Sequence, residues 1–147
     1  MEKIIIGNIN ADIDYLFREV CFGIVYKNNK YYCTKKRSDI SLIGGGIEKG
    51  ESDEETLKRE FLEEAGLTIT GMKELCLVDC FWLTRKNVNM ETLAKFYVVD
   101  VDDKIEAPLE VNHELVLLTE EELRNSIELP YQIKALEEYF KSYSNNK

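Results

Sequence analysis

The chain has 147 residues and a mass of 17.1 kDa, which fits a single domain spanning 1–147. Apolar residues make up 44% and charged residues 32%, a balance that supports a buried core in water. With 28 acidic against 19 basic residues the formal charge is −9, which argues against a nucleic-acid polymer as partner, because such a surface repels a phosphate backbone unless cations intervene. No apolar run approaches the roughly 20 residues of a membrane span. The N-terminal apolar stretch is too short for a signal peptide, so the expectation is a cytoplasmic protein without a membrane partner.

In chain order, Lys3 to Ile9 is expected to form a strand. Glu19–Lys27 and Tyr31–Lys35, rich in Val, Ile, Tyr, Phe and Cys, flank the polar turn Asn28-Asn29-Lys30 and read as a β-hairpin. A glycine-rich stretch follows, and then a helix marked at both ends. Ser52 and Glu55 form a capping box, acids occupy the first turn, and Gly66 is the expected left-handed residue past its end. Leu57, Phe61 and Ala65 recur at i, i+4 and i+8 and give this helix a core-facing stripe. Strands are expected near Glu74–Leu83, Thr92–Val101 and Glu114–Leu118. Alternation in the first of them places Cys76, Val78, Cys80 and Trp82 on one face, where free thiols pack as small apolar groups. The cysteine spacing and a single histidine, His113, speak against a zinc site. Thr119 and Glu122 offer a second capping box and a short helix. Pro130 opens a last helix, with Ile133, Leu136, Phe140 and Tyr143 at helical spacing, before a polar tail, SNNK, expected to fray. Strands in hairpins with helices on the sheet faces make a mixed α/β sandwich.

The stretch Gly44–Leu67, GGGIEKGESDEETLKREFLEEAGL, outweighs the rest. Seven acids fall within fourteen residues, from Glu51 to Glu64. Asp53, Glu54 and Glu55 suit the positive N-terminus of a solvated helix. Glu60, Glu63 and Glu64 do not: they lie in the C-terminal half, where the helix dipole opposes negative charge. At i, i+3 and i+4 they also repel one another by a few tenths of a kcal/mol per pair. A divalent cation relieves such a cluster, and hard oxygen ligands suit Mg²⁺ or Mn²⁺.

The same stretch matches G-x5-E-x7-R-E-U-x-E-E-x-G-U, with U a bulky apolar residue, at Gly45, Glu51, Arg59, Glu60, Phe61, Glu63, Glu64, Gly66 and Leu67. This is the Nudix box, and the chain resembles a Nudix hydrolase. The resemblance implies the family's α/β/α sandwich with a mixed sheet, and metal-dependent cleavage of a pyrophosphate bond. It implies metal binding by Glu60, Glu63 and Glu64 and by the carbonyl of Gly44, with Glu60 also a candidate base. Glu51 and Arg59 are implied to be structural, joined by a salt bridge, with Gly45 and Gly66 as structural glycines of the box. The late segment PLEVNHELVLLTEEEL resembles the family's acidic loop before a strand and a short helix. Glu110 and Glu114 are its candidates for a further ligand or base, with Glu114 slightly preferred, and His113 for a base or a leaving-group contact. Each is equally well read as a solvated loop residue.

The chain also departs from the pattern. Ile43 stands where many relatives have Pro, and Leu117 where many have Trp. The window beyond the box that often separates subfamilies holds Trp82, Leu83, Thr84 and Arg85, without the proline of ADP-ribose hydrolases or the tyrosine of dinucleoside polyphosphate hydrolases. Trp82 is read as core, with stacking on a base as the alternative. Lys35, Lys36 and Arg37 are read as a solvated strand end or a phosphate contact, and Arg85 and Lys86 stay undecided. The implied substrate is a small nucleotide: a nucleoside triphosphate, a nucleotide sugar or ADP-ribose. The alternative is a non-catalytic nucleotide-binding or regulatory Nudix module, which commonly loses a carboxylate of the box; this chain has all of them. Homodimer formation is left open.

Overall fold

The computed structural model describes residues 1–143; the frayed tail expected at 144–147 lies outside the described residues. Eight strands and three helices follow in the order β1 (Lys3–Ile6), β2 (Leu16–Ile24), β3 (Tyr26–Lys27), β4 (Lys30–Lys36), β5 (Asp39–Gly46), α1 (Asp53–Ala65), β6 (Leu67–Leu83), β7 (Asn89–Ile105), β8 (His113–Leu118), α2 (Glu120–Ser126) and α3 (Pro130–Tyr143). The strands form one sheet in the order β1-β6-β7-β2-β5-β4-β3, with β8 on the other side of β4. β1 runs parallel to β6 and β2 parallel to β7, while the remaining pairs are antiparallel, so the sheet is mixed.

Alternation along β2 divides the molecule into layers, because successive side chains point to opposite faces. Val20, Phe22 and Ile24 face α2 and α3, and their core includes Leu123, Leu136 and Phe140. Cys21 faces α1, whose Leu57, Phe61 and Ala65 are fully buried with Ile43, Leu67 and Val99. The layers are therefore helix, sheet, helices. The stripe expected on α1 is the one it buries, and Cys76, Val78 and Cys80 share the opposite core with the partly buried Trp82. All four cysteines are free and buried.

Several expectations are corrected. The chain from Glu19 to Lys27 is not one hairpin arm: β2 pairs with β5 and β7, and only Tyr26–Lys27 pairs with β4 across a turn where Asn28 and Asn29 have φ of 55° and 64°. The glycine-rich stretch is strand β5. Its intrinsic preference is poor, yet both its halves are paired, Asp39–Leu42 with β4 and Ile43–Gly46 with β2. On α3 the buried face is Tyr131, Gln132, Ala135, Leu136, Tyr139 and Phe140. Ile133 and Tyr143, expected on that face, are 40% and 37% exposed, because Gln132 rather than Ile133 turns inward. Gln132 Oε1 accepts from the Leu42 N–H at 2.9 Å, and Nε2 donates to Ser41 Oγ at 2.9 Å, joining α3 to β5. Among the described residues no helix is long and apolar enough to cross a membrane.

Candidate active site

The start of α1 is held by its capping box. The Glu55 N–H donates to Ser52 Oγ at 3.1 Å, and the Ser52 N–H donates to Glu55 Oε1 at 2.8 Å. Its first residue is tied to the sheet, since Lys95 Nζ lies 3.1 Å from Asp53 Oδ1 and the Tyr97 hydroxyl donates to Asp53 Oδ2. At the other end Gly66 takes φ 66°, which costs a side-chain-bearing residue energy, and its N–H caps the Leu62 carbonyl at 3.2 Å.

The terminal carbonyls of α1 need donors, and a loop distant in sequence supplies them. The Leu109 N–H reaches the Leu62 carbonyl at 3.4 Å, and the Glu110 N–H reaches the Glu63 carbonyl at 2.9 Å. The Glu106 N–H reaches the Gly66 carbonyl at 2.9 Å. These bonds pin the stretch before β8 onto the acidic end of α1, which brings Glu110 and His113 beside Glu64. His113 Nδ1 lies 2.9 Å from Glu110 Oε1, and its Nε2 lies 3.6 Å from Glu64 Oε2.

Arg59 organises the near side. Its Nε and Nη2 donate to Glu51 at 2.7 and 2.9 Å, and Nη2 also reaches the Gly46 carbonyl at 3.1 Å. Its Nη1 lies 3.3 Å from Glu60 Oε2 and 3.2 Å from Glu63 Oε1. The hydrogen bonds from Arg59 pull the Glu51 carboxyl down to about 2. One guanidinium thus fixes the 46–51 loop against α1 and partly neutralises two of its carboxylates. Gly45 permits the contact between strand and helix, because a Cβ there would run into the Glu60 carboxylate. The Gly44 N–H donates to Glu64 Oε1 at 3.2 Å.

Glu60 and Glu64 are each only 9% exposed. Burial raises the proton affinity of both above the ordinary carboxylate value; Glu63 adds to this for Glu60, and Glu60 adds to it for Glu64. Arg59 and the Gly44 N–H act in the opposite sense on Glu60 and Glu64 respectively.

Gly44–Gly46, Glu60, Glu63, Glu64, Glu110 and His113 face a hollow of about 680 Å³. Arg18, Val20, Phe22, Lys36 and Tyr131 line the same hollow, with Lys36 opposite His113 in the β4–β8 register and Arg18 beside Gly46. Neither Arg18 nor Lys36 has a carboxylate within ion-pairing distance among the described residues. The hollow therefore gathers crowded carboxylates together with two cations that form no ion pair among the described residues.

Of the residues singled out from sequence, the structure brings Gly44, Gly45, Glu60, Glu63, Glu64, Glu110, His113 and Lys36 to this hollow. Glu114, preferred over Glu110, does not line it. It is exposed and next to His113 in β8, so alternation turns it to the other face. Trp82 also lies outside. Its indole N–H donates to Thr92 Oγ1 at 2.9 Å, its ring meets Tyr131 edge-on at 5.8 Å, and it lines a neighbouring hollow of about 430 Å³ with Asp39, Arg85 and Glu128. Arg18 and Tyr131 were not singled out. The signal for Arg18 is its place two and four residues before Val20 and Phe22, on the same face of β2.

The NUDIX domain family model matches residues 18–139. The chain is 35% identical over 86 residues to nucleoside triphosphatase NudI of Enterobacter sp. (strain 638), a match covering 52% of this chain and 56% of that protein, so it spans little more than half of that relative. Among solved structures, the fold is similar to a NUDIX hydrolase from Nitrosomonas europaea (TM-score 0.70, 19% identity, 91% of this chain and 76% of that one). It is also similar to the MutT NUDIX hydrolase from Burkholderia pseudomallei (TM-score 0.65, 20% identity, 84% of this chain and 98% of that one). With its family model matched over most of its length and its fold shared with these structures, the chain belongs to the Nudix family.

Proposed function

We propose that this chain hydrolyses a pyrophosphate bond in a small nucleotide, with nucleoside triphosphates foremost, and that it does so with Mg²⁺ or Mn²⁺ bound among Glu60, Glu63, Glu64 and Glu110. The observation that carries this reading is the hollow that gathers Glu60, Glu63, Glu64 and Glu110 with Arg18 and Lys36, neither of which forms an ion pair among the described residues. The name of NudI, a nucleoside triphosphatase, favours triphosphates within the wider class that includes nucleotide sugars and ADP-ribose.

The residues present fit a divalent ion. Glu60 and Glu64 are buried like charges, only partly served by Arg59 and one backbone N–H. An all-carboxylate wall would otherwise repel an anionic substrate. A bound divalent ion would stabilise charge on the phosphate oxygens and acidify the attacking water. The protein's own contributions are positional. Arg18 and Lys36 attract the phosphate chain into the hollow, Arg59 holds the carboxylates in place, and a carboxylate of the cluster takes the proton of the attacking water. Phe22 and Tyr131 add apolar surface to the lining of the hollow.

The test is a panel of nucleoside triphosphates, nucleotide sugars and ADP-ribose, assayed for released phosphate, pyrophosphate or nucleoside monophosphate with Mg²⁺ and with chelator. Turnover of triphosphates with Mg²⁺ and none with chelator is expected. Glu63→Gln combined with Glu64→Gln should abolish turnover while leaving the circular dichroism spectrum intact. No turnover on any panel member, or undiminished rates in the double variant, would overturn the proposal.

A further inference from the structure

His113 is the chain's single histidine, and its ring stands between two carboxylates. Nε2 faces Glu64 at 3.6 Å and Nδ1 faces Glu110 at 2.9 Å, yet Nδ1 is sealed from solvent without an aligned hydrogen-bond partner. A neutral imidazole has one N–H and one lone pair. With an acceptor on each side, one ring nitrogen turns its lone pair towards a carboxylate oxygen, an arrangement that a cation relieves. Arg59 does not supply that cation, since its guanidinium is spent on Glu51, Glu60, Glu63 and the Gly46 carbonyl.

We infer that His113 supplies a ring nitrogen to a divalent cation held together with Glu64 and Glu110, so that this corner of the site has a mixed nitrogen–oxygen donor set. The inference rests on the proposed metal-dependent function and narrows the class of ion. Ligand atoms of the three residues lie within 4.8 Å of one another, a spread that metal–ligand bonds of about 2.1 Å close with sub-ångström side-chain shifts. The main chain that carries the ring is held in place beforehand, because the His113 backbone N–H donates to the Glu110 carbonyl at 3.3 Å and the Glu110 backbone N–H to the Glu63 carbonyl at 2.9 Å. The metal-binding corner thus hangs on the end of α1. Mg²⁺ takes oxygen ligands and gains little from imidazole, whereas first-row transition ions gain from it. This site therefore selects Mn²⁺ over Mg²⁺ through His113.

Pulsed electron paramagnetic resonance of the full, tag-free chain at one to three equivalents of Mn²⁺ tests this directly. Modulation from an imidazole ¹⁴N is expected, changing to the ¹⁵N pattern when histidine is ¹⁵N-labelled, which addresses His113 alone. In calorimetry, His113→Gln should weaken Mn²⁺ binding at least tenfold and Mg²⁺ binding less than threefold. The labelling needs no substitution, so it decides the matter even if that variant fails to fold. Bound Mn²⁺ without imidazole coupling at any loading would overturn this inference and leave the carboxylate centre standing. No Mn²⁺ bound by the native chain would overturn the proposed function with it.

Discussion

Gln132 gives a sharp test of how the fold positions its site. It is fully buried on α3, accepts from the Leu42 N–H and donates to the Ser41 hydroxyl, two residues before the glycines of β5 reach the carboxylates. Gln132→Met keeps the length of the side chain and removes both bonds. The Leu42 N–H then stays buried without an acceptor, at a cost of about 1–3 kcal/mol, and the lost bond to Ser41 adds about 1 kcal/mol. Ser41 still donates to the Leu42 carbonyl at 2.8 Å, and burying Met in place of an amide returns part of the loss. The net is about 2 kcal/mol, or a fall in Tm of about 4–8 °C for a chain of this size. Ile133→Gln, at the exposed neighbouring position, is the control and should change stability by less than about 0.5 kcal/mol. Thermal melts of the two variants beside the native chain are the assay. An unchanged Tm for Gln132→Met would refute the reasoning that β5 depends on α3 for an acceptor to its Leu42 N–H.

Glu60 and Glu64 bind their protons more tightly in the folded than in the unfolded chain, so their contribution to stability is complete below the ordinary carboxylate value of 4.5 and is lost as pH rises towards about 8, the folded value for Glu64. Metal-free melts should therefore show Tm falling from about pH 5 to about pH 8.5, with Mg²⁺ reversing the fall at the upper end; a rising Tm would contradict this. Glu51, shifted down, has already made its contribution below that window. Gly45→Ala places a methyl group against the flexible end of Glu60, so stability should change by no more than about 1 kcal/mol while Mn²⁺ affinity, read by calorimetry, falls about tenfold. Burial raises the pKa of all four thiols, Cys33 and Cys76 to about 12 and Cys80 to about 11. A thiol reagent at neutral pH should accordingly modify none in the native chain and all four in denaturant.

Much of this architecture is legible in the residues because local rules agree there. Ser52, Glu55, Gly66 and the Leu57–Phe61–Ala65 stripe each specify α1, and together they place Glu60 and Glu64 on a face that the docked helix then half buries. What was not legible depends on partners far along the chain. β5 is a strand because β4 pairs with its first half and β2 with its glycines, although those glycines disfavour one locally. The phase of α3 follows from a buried glutamine that periodicity alone reads as a surface residue. Glu114 was slightly preferred over Glu110 with no signal in the sequence to decide between them. Starting β8 at His113 turns Glu114 away, and backbone bonds to the end of α1 bring Glu110 in. Arg18 was hidden by its ordinary setting, a charged residue at the exposed start of a strand, and only the hollow gives it a use.

The central claim is that the carboxylates of α1 and the 106–113 loop hold a divalent ion at the hollow. Anomalous scattering from crystals grown with Mn²⁺ locates that ion without reference to activity. The account predicts a peak at about 2.2 Å from carboxylate oxygens of Glu64 and at least one of Glu60, Glu63 and Glu110. A well-ordered hollow without such a peak, or Mn²⁺ found only elsewhere on the surface, would contradict it.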